Sequence, residues 1–333
     1  MSDASGSPSE VDDPIGRLRR QIAVELATPV RPGVRWLADQ IRQRHGDGVL
    51  GVLFYGSCLR SESDEGVLDF WVVVDDYAQA HTRRSHAWIN RVAPPNVYYL
   101  ERNLDGRVLR TKYGVLDRRA FERGTSFASP HPYVWARFAQ PARLVFCRDE
   151  AARLFFERTV AEAVVTMVGR LVCFLPAQGR WRRFSLAAFW QEAFRRTYDS
   201  ERRPEAEESI RDLHRADEDR YALVAACAIP ALVSRGTFAS AIPHPRSFEV
   251  EIPELRQRLQ RLRWKIMRPH ARALGLLRLL KTAFTFGDWV PYVLWKLERH
   301  TGRRIEPTER QRRHPLIFGW PIILPLLFRR NLR

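Results

Sequence analysis

A glycine-serine pair and a single carboxylate give the first indication of chemistry in this sequence. Gly56 and Ser57 directly follow an apolar run at residues 49–55, and Asp69 stands at the start of the next apolar run, residues 68–74. A glycine lets a phosphate come close to the backbone, and a serine offers both a hydroxyl and an amide. A carboxylate on the neighbouring strand can hold Mg²⁺ against the same phosphates. The spacing therefore favours a site for a triphosphate and a metal ion.

A second metal-binding acid does not follow from the local pattern. The positions two before and two after Asp69 carry no acid. Asp75 is on the right face of the strand, but six residues of extended chain span roughly 20 Å, whereas paired catalytic metals lie about 4 Å apart. A second acid would therefore come from another segment, and Glu101 and Asp117 are both candidates.

The pattern of apolar residues predicts the elements that must position this site. Two helices are predicted between Ile15 and His45, with a break at residues 29–33, and a third at residues 77–89. The Lys112-Tyr113-Gly114 triplet is predicted to lie in a strand and turn. These elements indicate a small α/β unit with a mixed sheet. Its predicted strands are residues 49–55, 68–74, 97–100, 107–116 and 142–147.

From Glu150 onward the apolar spacing becomes helical, and it predicts a second, all-α region. Its predicted helices are residues 151–174, 185–198, 210–232 and 252–297, and residues 236–245 are predicted to form a linker. The fold class is therefore predicted to be α+β, a mixed-sheet domain followed by a mainly helical region. The predicted divisions are a disordered leader (1–14), the mixed-sheet domain (15–149), the helical domain (150–308) and a basic and apolar tail (309–333).

The composition restricts the partners and the compartment. A net charge of +17 and a pI near 10.6 predict attraction to anions, which include nucleotides, nucleic acid and acidic lipid headgroups. The four cysteines lie far apart without zinc-ligand spacing, so we expect reduced thiols in a cytosolic compartment. The polar, acidic N-terminal stretch fits neither a secretory signal nor a transit peptide.

The tail at residues 309–333 has two interpretations. Its fourteen-residue run PLIFGWPIILPLLF is flanked by arginines and interrupted by three prolines. It is too short and too irregular to span a bilayer, which needs about 20 residues. The run could lie at a membrane interface, where each basic flanking residue contributes roughly 1 kcal/mol near anionic lipid. The alternative is that it packs back on the helical region as ordinary core.

A strand, a Gly-Ser pair and an acid on the next strand resemble the layout of the nucleotidyltransferase superfamily, in which that next strand carries a pair of acids two residues apart; here only Asp69 is present. Within it, the sequence resembles the mitochondrial-type phosphatidate cytidylyltransferases, the peripheral CDP-diacylglycerol synthases of the translocator assembly and maintenance family. The resemblance covers roughly residues 49 to 205. The matching segments are Tyr55-Gly56-Ser57, Leu68-Asp69-Phe70 with Val74-Asp75-Asp76, the run NRVAPPNV from Asn90 to Val97, Lys112-Tyr113-Gly114-Val115, Ala136-Arg137-Phe138, and Thr197-Tyr198 with Glu201 and Arg203. The departures from the family pattern are Ala136, Gln140 and Ser200-Glu201.

The resemblance implies a nucleotidyltransferase that acts on a lipid. Phosphatidic acid would attack the α-phosphate of CTP, with Mg²⁺ as cofactor, to give CDP-diacylglycerol and pyrophosphate. The implied nucleotide-binding residues are Tyr55, Gly56 and Ser57. The implied catalytic residues are Asp69, which also binds the metal, and Lys112, which pairs with a phosphate. The residues implied to line the site from the helical region are Arg137, Tyr198, Glu201 and Arg203.

A lipid substrate also implies a location. Phosphatidic acid is anionic and resides in the membrane, so an enzyme without a spanning helix must dock on the bilayer surface. We therefore expect a cytoplasmic protein that is peripheral on the inner membrane face. Nucleic acid is not an expected partner.

Two other functions remain open at this point. The first is a nucleotidyltransferase that acts on RNA or another acceptor, using the net charge of +17 to bind phosphates. Against it, the basic residues are dispersed, without the exposed aromatics that single-strand binding uses. The second is a catalytically inactive nucleotidyltransferase scaffold that binds membrane. Its best support is the absence of a second acid two residues before or after Asp69.

Overall fold

A five-stranded mixed sheet forms the centre of the N-terminal half. The computed structural model describes residues 13–80, 94–201 and 207–285. The strand order is β3-β4-β2-β1-β5, in which β2 and β4 are parallel and the other neighbours antiparallel. All five predicted strands are confirmed. Their bounds are β1 Val49–Tyr55, β2 Val67–Val74, β3 Asn96–Leu104, β4 Arg107–Asp117 and β5 Ala142–Cys147.

The hairpin between β3 and β4 differs from the sequence prediction. β3 continues to Leu104, and β4 runs without interruption through Lys112-Tyr113-Gly114, where a turn had been predicted. The turn lies instead at Asp105 and Gly106, whose φ angles are 51° and 80°. An Asp-Gly pair readily adopts positive φ at both positions, which matches the twist of a two-residue hairpin. Lys112 therefore lies in the middle of a paired strand.

Alternation along the strands gives the sheet two differently packed faces. Phe54 and Phe70 point to the face that α2 covers, in a core with Ile41. Leu53 and Trp71 point to the opposite face, in the larger core that continues into the helical region. Successive residues of a strand face opposite sides, so Tyr55 and Asp69 lie on the helical side.

The helices begin where the sequence supplies caps. Asp13, Asp117, Asp149 and Ser185 each accept a hydrogen bond from a backbone amide in the first turn of the following helix, which satisfies an otherwise orphaned donor. The helix bounds are α1 Pro14–Ala27, α2 Pro32–His45, α3 Ser57–Arg60, α4 Tyr77–Ala80, α5 Arg118–Thr125, α6 Trp135–Phe138, α7 Glu150–Leu171, α8 Leu186–Ser200, α9 Glu207–Arg215, α10 Glu218–Ser234 and α11 Glu254–Thr285.

Most predicted helices are confirmed, with two limits. The predicted helix at 210–232 is two helices, α9 and α10. Residues 81–89 of the predicted third helix and residues 286–297 of the last one lie outside the described residues, as do residues 1–12 of the predicted leader and the tail at 309–333. Within the described ranges, no helix combines the length and apolar character that crossing a bilayer requires.

The second region is not all-α, so that prediction was wrong. It contains a three-stranded antiparallel sheet in the order β6-β8-β7, made of β6 Trp181–Ser185, β7 Ser240–His244 and β8 Ser247–Glu251. The predicted linker at 236–245 thus carries a strand. This strand contains Pro243, which is tolerated because β7 is an edge strand. The α+β class is confirmed, with a helical region that includes this small sheet.

A buried ion pair connects α1 to the rest of the molecule. Arg220 of α10 donates from Nε to Glu25 Oε2 at 2.7 Å, and Glu25 Oε1 also accepts from the amide of Ala142 at 3.0 Å. Arg220 Nη1 donates to the carbonyl of Ala139. The two charged side chains are only 12% and 8% exposed. This network joins α1 and α10 to the start of β5.

We expect Glu25→Gln to lower the free energy of unfolding by about 3–5 kcal/mol, because the buried Arg220 loses its countercharge. Urea denaturation measures this change. Glu254→Gln is the matched control: its partner is Arg258, and both side chains are highly exposed, so the change should stay within about 1 kcal/mol. Equal, small losses in both variants would contradict the structural role of the buried pair.

Candidate functional site

Three residues from separate strands meet in one row across the sheet. Asp69 of β2 lies opposite Tyr55 of β1 on one side and opposite Lys112 of β4 on the other. Lys112 in turn lies opposite Tyr99 of β3. Directly opposite residues in adjacent strands project from the same face. The register therefore brings together three residues that the sequence assigned to the site.

Asp69 and Lys112 form a half-exposed ion pair. Lys112 Nζ lies 3.2 Å from Asp69 Oδ1, with the side chains 41% and 23% exposed. The Oδ1 atom is buried, yet it accepts no hydrogen bond from the described residues, because the angles of the contact with Lys112 are poor. This carboxylate oxygen thus keeps acceptor capacity for a ligand.

The turn after β1 passes closely over this carboxylate. Gly56 has a φ of 95°, and a Cβ atom at this position would lie 3.1 Å from Asp69 Oδ2. Any other residue would be strained in this conformation and would crowd the acid. Ser57, the first residue of α3, is exposed beside the turn. The glycine therefore leaves open the space above Asp69 that the sequence assigned to phosphate.

Arg31 is a residue of this region that sequence reasoning missed. It donates from Nε to Asp64 at 2.8 Å and from Nη2 to the carbonyls of Cys58 and Ser63, both at 3.1 Å. These bonds hold the polar loop between α3 and β2 against the start of α2. No local signal marks this role, since 33 residues separate Arg31 from Asp64.

The pKa of the Tyr55 hydroxyl depends on the charged groups around it. Burial and, to a smaller extent, the negative charge of Asp69 together raise the pKa of Tyr55 to about 12, against the opposing charges of Arg137 and Lys112. The hydroxyl is therefore protonated across the physiological range. Because Arg137 of α6 is among these charges, Tyr55 is the member of the row that faces Arg137.

Arg137 of α6 is bound to Glu201 at the end of α8. Arg137 Nη1 and Nη2 donate to the two carboxylate oxygens at 2.8 and 2.9 Å, and the side chains are 11% and 13% exposed. Burial alone would lower the pKa of Arg137, but Glu201 holds it well above its ordinary value. The Glu201 carboxylate thus neutralises Arg137.

Tyr133 lies between two guanidinium groups. Arg137 and Arg278 each place their Cζ atom 4.0 Å from the centre of the Tyr133 ring. Arg278, from α11, also donates from Nε to the carbonyl of Pro94 at 2.8 Å and contacts His131 Nε2 at 3.2 Å. Arg278 and Tyr133 were not predicted, because their proximity depends on the path of α11. They extend the site with a second buried cation.

The candidate second acids do not meet Asp69. Glu101 accepts from the Tyr99 hydroxyl and from Arg110, two pairs of residues further along the sheet from Lys112. Asp117 caps α5 through the amide of Ala120 at the far end of β4. Asp75 binds Arg148 at the far end of β2. Each of these carboxylates already has a structural partner away from the site.

The site fits a magnesium ion that arrives with phosphate ligands. The described residues contain no cluster of three His, Cys, Asp or Glu side chains able to hold a metal alone. Mg²⁺ is nonetheless commonly held by one or two carboxylates together with substrate phosphates and water. Asp69, with its buried Oδ1 free of hydrogen bonds from the described residues and its Oδ2 under the Gly56 turn, has this character.

The remaining two residues that were predicted to line the site are Tyr198 and Arg203. Tyr198 lies one turn before Glu201 on α8, half-buried and packed against the main core. Arg203 lies outside the described residues.

No protein-family model and no curated protein matches this chain.

We expect Asp69→Asn to change the free energy of unfolding by no more than about 1 kcal/mol, because half-exposed ion pairs contribute little to stability. Glu201→Gln should cost about 3–5 kcal/mol, since it leaves Arg137 buried without a countercharge. Urea denaturation of the two variants tests the contrast. A loss of several kcal/mol in Asp69→Asn would make Asp69 a structural residue instead of a functional one.

The stability of the protein should depend on His131 at acidic pH. Burial, with help from Arg278 and His270, lowers the pKa of His131 to about 3. Above pH 6.5 the imidazole is neutral in both states and contributes nothing. Below about pH 6.5 the unfolded chain takes up a proton that the folded protein does not, so stability should fall by up to about 1.4 kcal/mol per pH unit. His131→Gln should have a shallower slope between about pH 6.5 and 4.5, and an unchanged slope would contradict this assignment.

Proposed function

We propose that this protein transfers a cytidylyl group from CTP to phosphatidic acid or a related anionic lipid phosphate, giving CDP-diacylglycerol and pyrophosphate. The observation that carries the proposal is the row of Tyr55, Asp69 and Lys112 beneath the Gly56 turn. A strand, a close glycine turn, an acid with acceptor capacity and an adjacent lysine can together bind a triphosphate and its metal ion. The geometry supports phosphate binding, and the resemblance of the same residues to the phosphatidate cytidylyltransferases supplies the proposed reaction.

In this proposal each residue has a defined task. The Gly56 turn and the exposed Ser57 bind the CTP phosphates through backbone amides and a hydroxyl. Lys112 turns from Asp69 toward a phosphate oxygen, a short movement for a side chain that is 41% exposed. Asp69 holds Mg²⁺, which would neutralise phosphate charge as the acceptor attacks the α-phosphate. The protonated Tyr55 hydroxyl can donate to the same ligand.

The helical side of the site would orient the acceptor. Arg137 lines it while bound to Glu201, so its role in this proposal is to fix the wall beside Tyr55, and phosphate binding at its remaining donors is secondary. Tyr198 and Arg203 belong to the same wall in the family resemblance. The lipid substrate implies a cytoplasmic protein that is peripheral on the inner membrane face.

An inactive scaffold is the second candidate, favoured by one observation. Asp75, Glu101 and Asp117 each bind other groups, so none joins Asp69. With only one carboxylate in the site, most ligands of a bound Mg²⁺ would have to come from the substrate phosphates and water. A scaffold would bind CTP and membrane without turnover.

We expect purified protein with CTP, Mg²⁺ and phosphatidic acid to release pyrophosphate and form a CDP-lipid. Asp69→Asn and Lys112→Met should each lower kcat by about a hundredfold or more, because the first removes the metal ligand and the second removes a positive charge that stabilises the transferring phosphate. A coupled pyrophosphate assay with chromatography of the lipid product measures both. Ser57→Ala should weaken turnover as well, since it removes a phosphate donor.

The control is Asp105→Asn, the same substitution at an exposed hairpin position whose positive φ asparagine tolerates. Its activity should equal that of the wild type. Activity that survives Asp69→Asn would refute the metal assignment. CTP binding without turnover would favour the scaffold, and nucleotide addition to RNA instead of lipid would replace the proposed acceptor.

A further inference from the structure

The helix α11 exposes an apolar face to solvent. Its members lie on the same side of the helix at spacings of four, three, four and eleven residues. They are Leu255, Leu259, Leu262, Ile266 and Leu277, with exposed fractions of 69%, 54%, 55%, 64% and 53%. At 1.5 Å per residue, this apolar face extends over roughly 33 Å. Exposed apolar patches on soluble proteins often mark interaction sites.

The opposite face of α11 is packed against the body of the protein. Trp264, Met267 and Ala271 are buried, and the Trp264 ring contacts Phe174 at 5.7 Å between centroids. Buried Gln257 donates to the carbonyl of Ile252 and accepts from Arg182. The helix is therefore held in place, and its exposed leucines are a fixed surface of the folded protein.

The charge around the apolar face is almost entirely positive. Between Glu254 and Thr285 the sequence has nine lysines and arginines and one acid, Glu254 itself. The exposed basic residues that flank the leucines are Arg256, Arg258, Arg261, Arg263 and Lys265. An apolar stripe between basic flanks is the pattern of helices that lie in the interface of an anionic bilayer.

We propose that the apolar face of α11 docks the protein on an anionic lipid surface. A second copy of the chain is a poor occupant, because two such helices would bring their arginines together and repel. Nucleic acid would match the arginines but leave the leucines against a polar backbone. A lipid surface accommodates both, with headgroups beside the cations and acyl chains beneath the leucines.

The same helix also reaches the candidate site. Leu277 is the last residue of the apolar face, and its neighbour Arg278 contacts Tyr133 and Pro94 on the protein side. Docking along α11 would therefore bring the wall of the site close to the bilayer. This consequence rests on the proposed function, whereas the docking itself rests only on the surface of α11.

Co-sedimentation with lipid vesicles tests the docking face. We expect the double variant Leu259→Gln/Leu262→Gln to bind phosphatidylcholine vesicles containing phosphatidylglycerol about tenfold more weakly per leucine removed. Leu154→Gln/Leu223→Gln is the matched control, since these leucines are 53% and 43% exposed on α7 and α10. Its binding should not change. Equal binding by the wild type and both double variants would overturn the proposal.

A second arm isolates the charge. Arg256→Gln/Arg258→Gln should weaken binding to the anionic vesicles, as should added salt, and should leave the weak binding to pure phosphatidylcholine unchanged. All these positions are exposed, so the variants should keep the wild-type unfolding midpoint. If Leu259→Gln/Leu262→Gln instead converts a dimer into a monomer in solution while vesicle binding persists, the occupant is a second copy and the lipid proposal is wrong.

Turnover measurements separate this inference from the proposed function. Loss of vesicle binding with retained turnover of phosphatidic acid dispersed in detergent micelles would support docking through α11 and cytidylyl transfer together. Vesicle binding that depends on α11 in a protein without any turnover would support the docking and refute the transferase. Turnover, combined with vesicle binding that does not depend on α11, would support the transferase and refute the docking through α11.

Discussion

The register of β2 between β1 and β4 is the constraint on which the candidate site depends. It places Asp69 opposite both Tyr55 and Lys112. A slip of one residue would turn every side chain of β2 to the other face. The slip is opposed by Phe70 and Val72, which are fully buried on the far side of the sheet. The apolar core thus determines where the charged residues meet, although it takes no part in their chemistry.

The charges of the molecule fall into two groups with different physical roles. The Glu25–Arg220 and Arg137–Glu201 pairs are buried, bidentate or shared with backbone groups, and they join elements far apart in sequence. Such pairs specify an arrangement, because either partner alone would be a buried, uncompensated charge. The Asp69–Lys112 pair is half-exposed and poorly aligned. It stabilises little and can exchange its partners for a ligand.

The sequence predicted the elements better than it predicted their contacts. Continuous apolar runs were sufficient for all five strands of the main sheet, and Gly56, Ser57 and Asp69 followed from local spacing. The pairing of Asp69 with Lys112 required knowing that β2 and β4 are parallel neighbours. The approach of Arg278 to Tyr133 required the packing of α11, 145 residues away along the chain. The small second sheet was missed because its strands are only five residues long and one of them, β7, contains a proline.

The balance of charge explains why α11 matters to the site as well as to the surface. Lys112, Arg137 and Arg278 supply three positive charges near Tyr55 and Tyr133, and Asp69 and Glu201 supply two negative ones. Without Arg278 these side chains would sum to zero; with it, the site keeps a positive excess in surroundings of low dielectric, which attracts an anion. The cation that creates the excess is held on the helix that also carries the exposed leucines. The same helix would therefore connect the proposed phosphate site to the proposed docking surface.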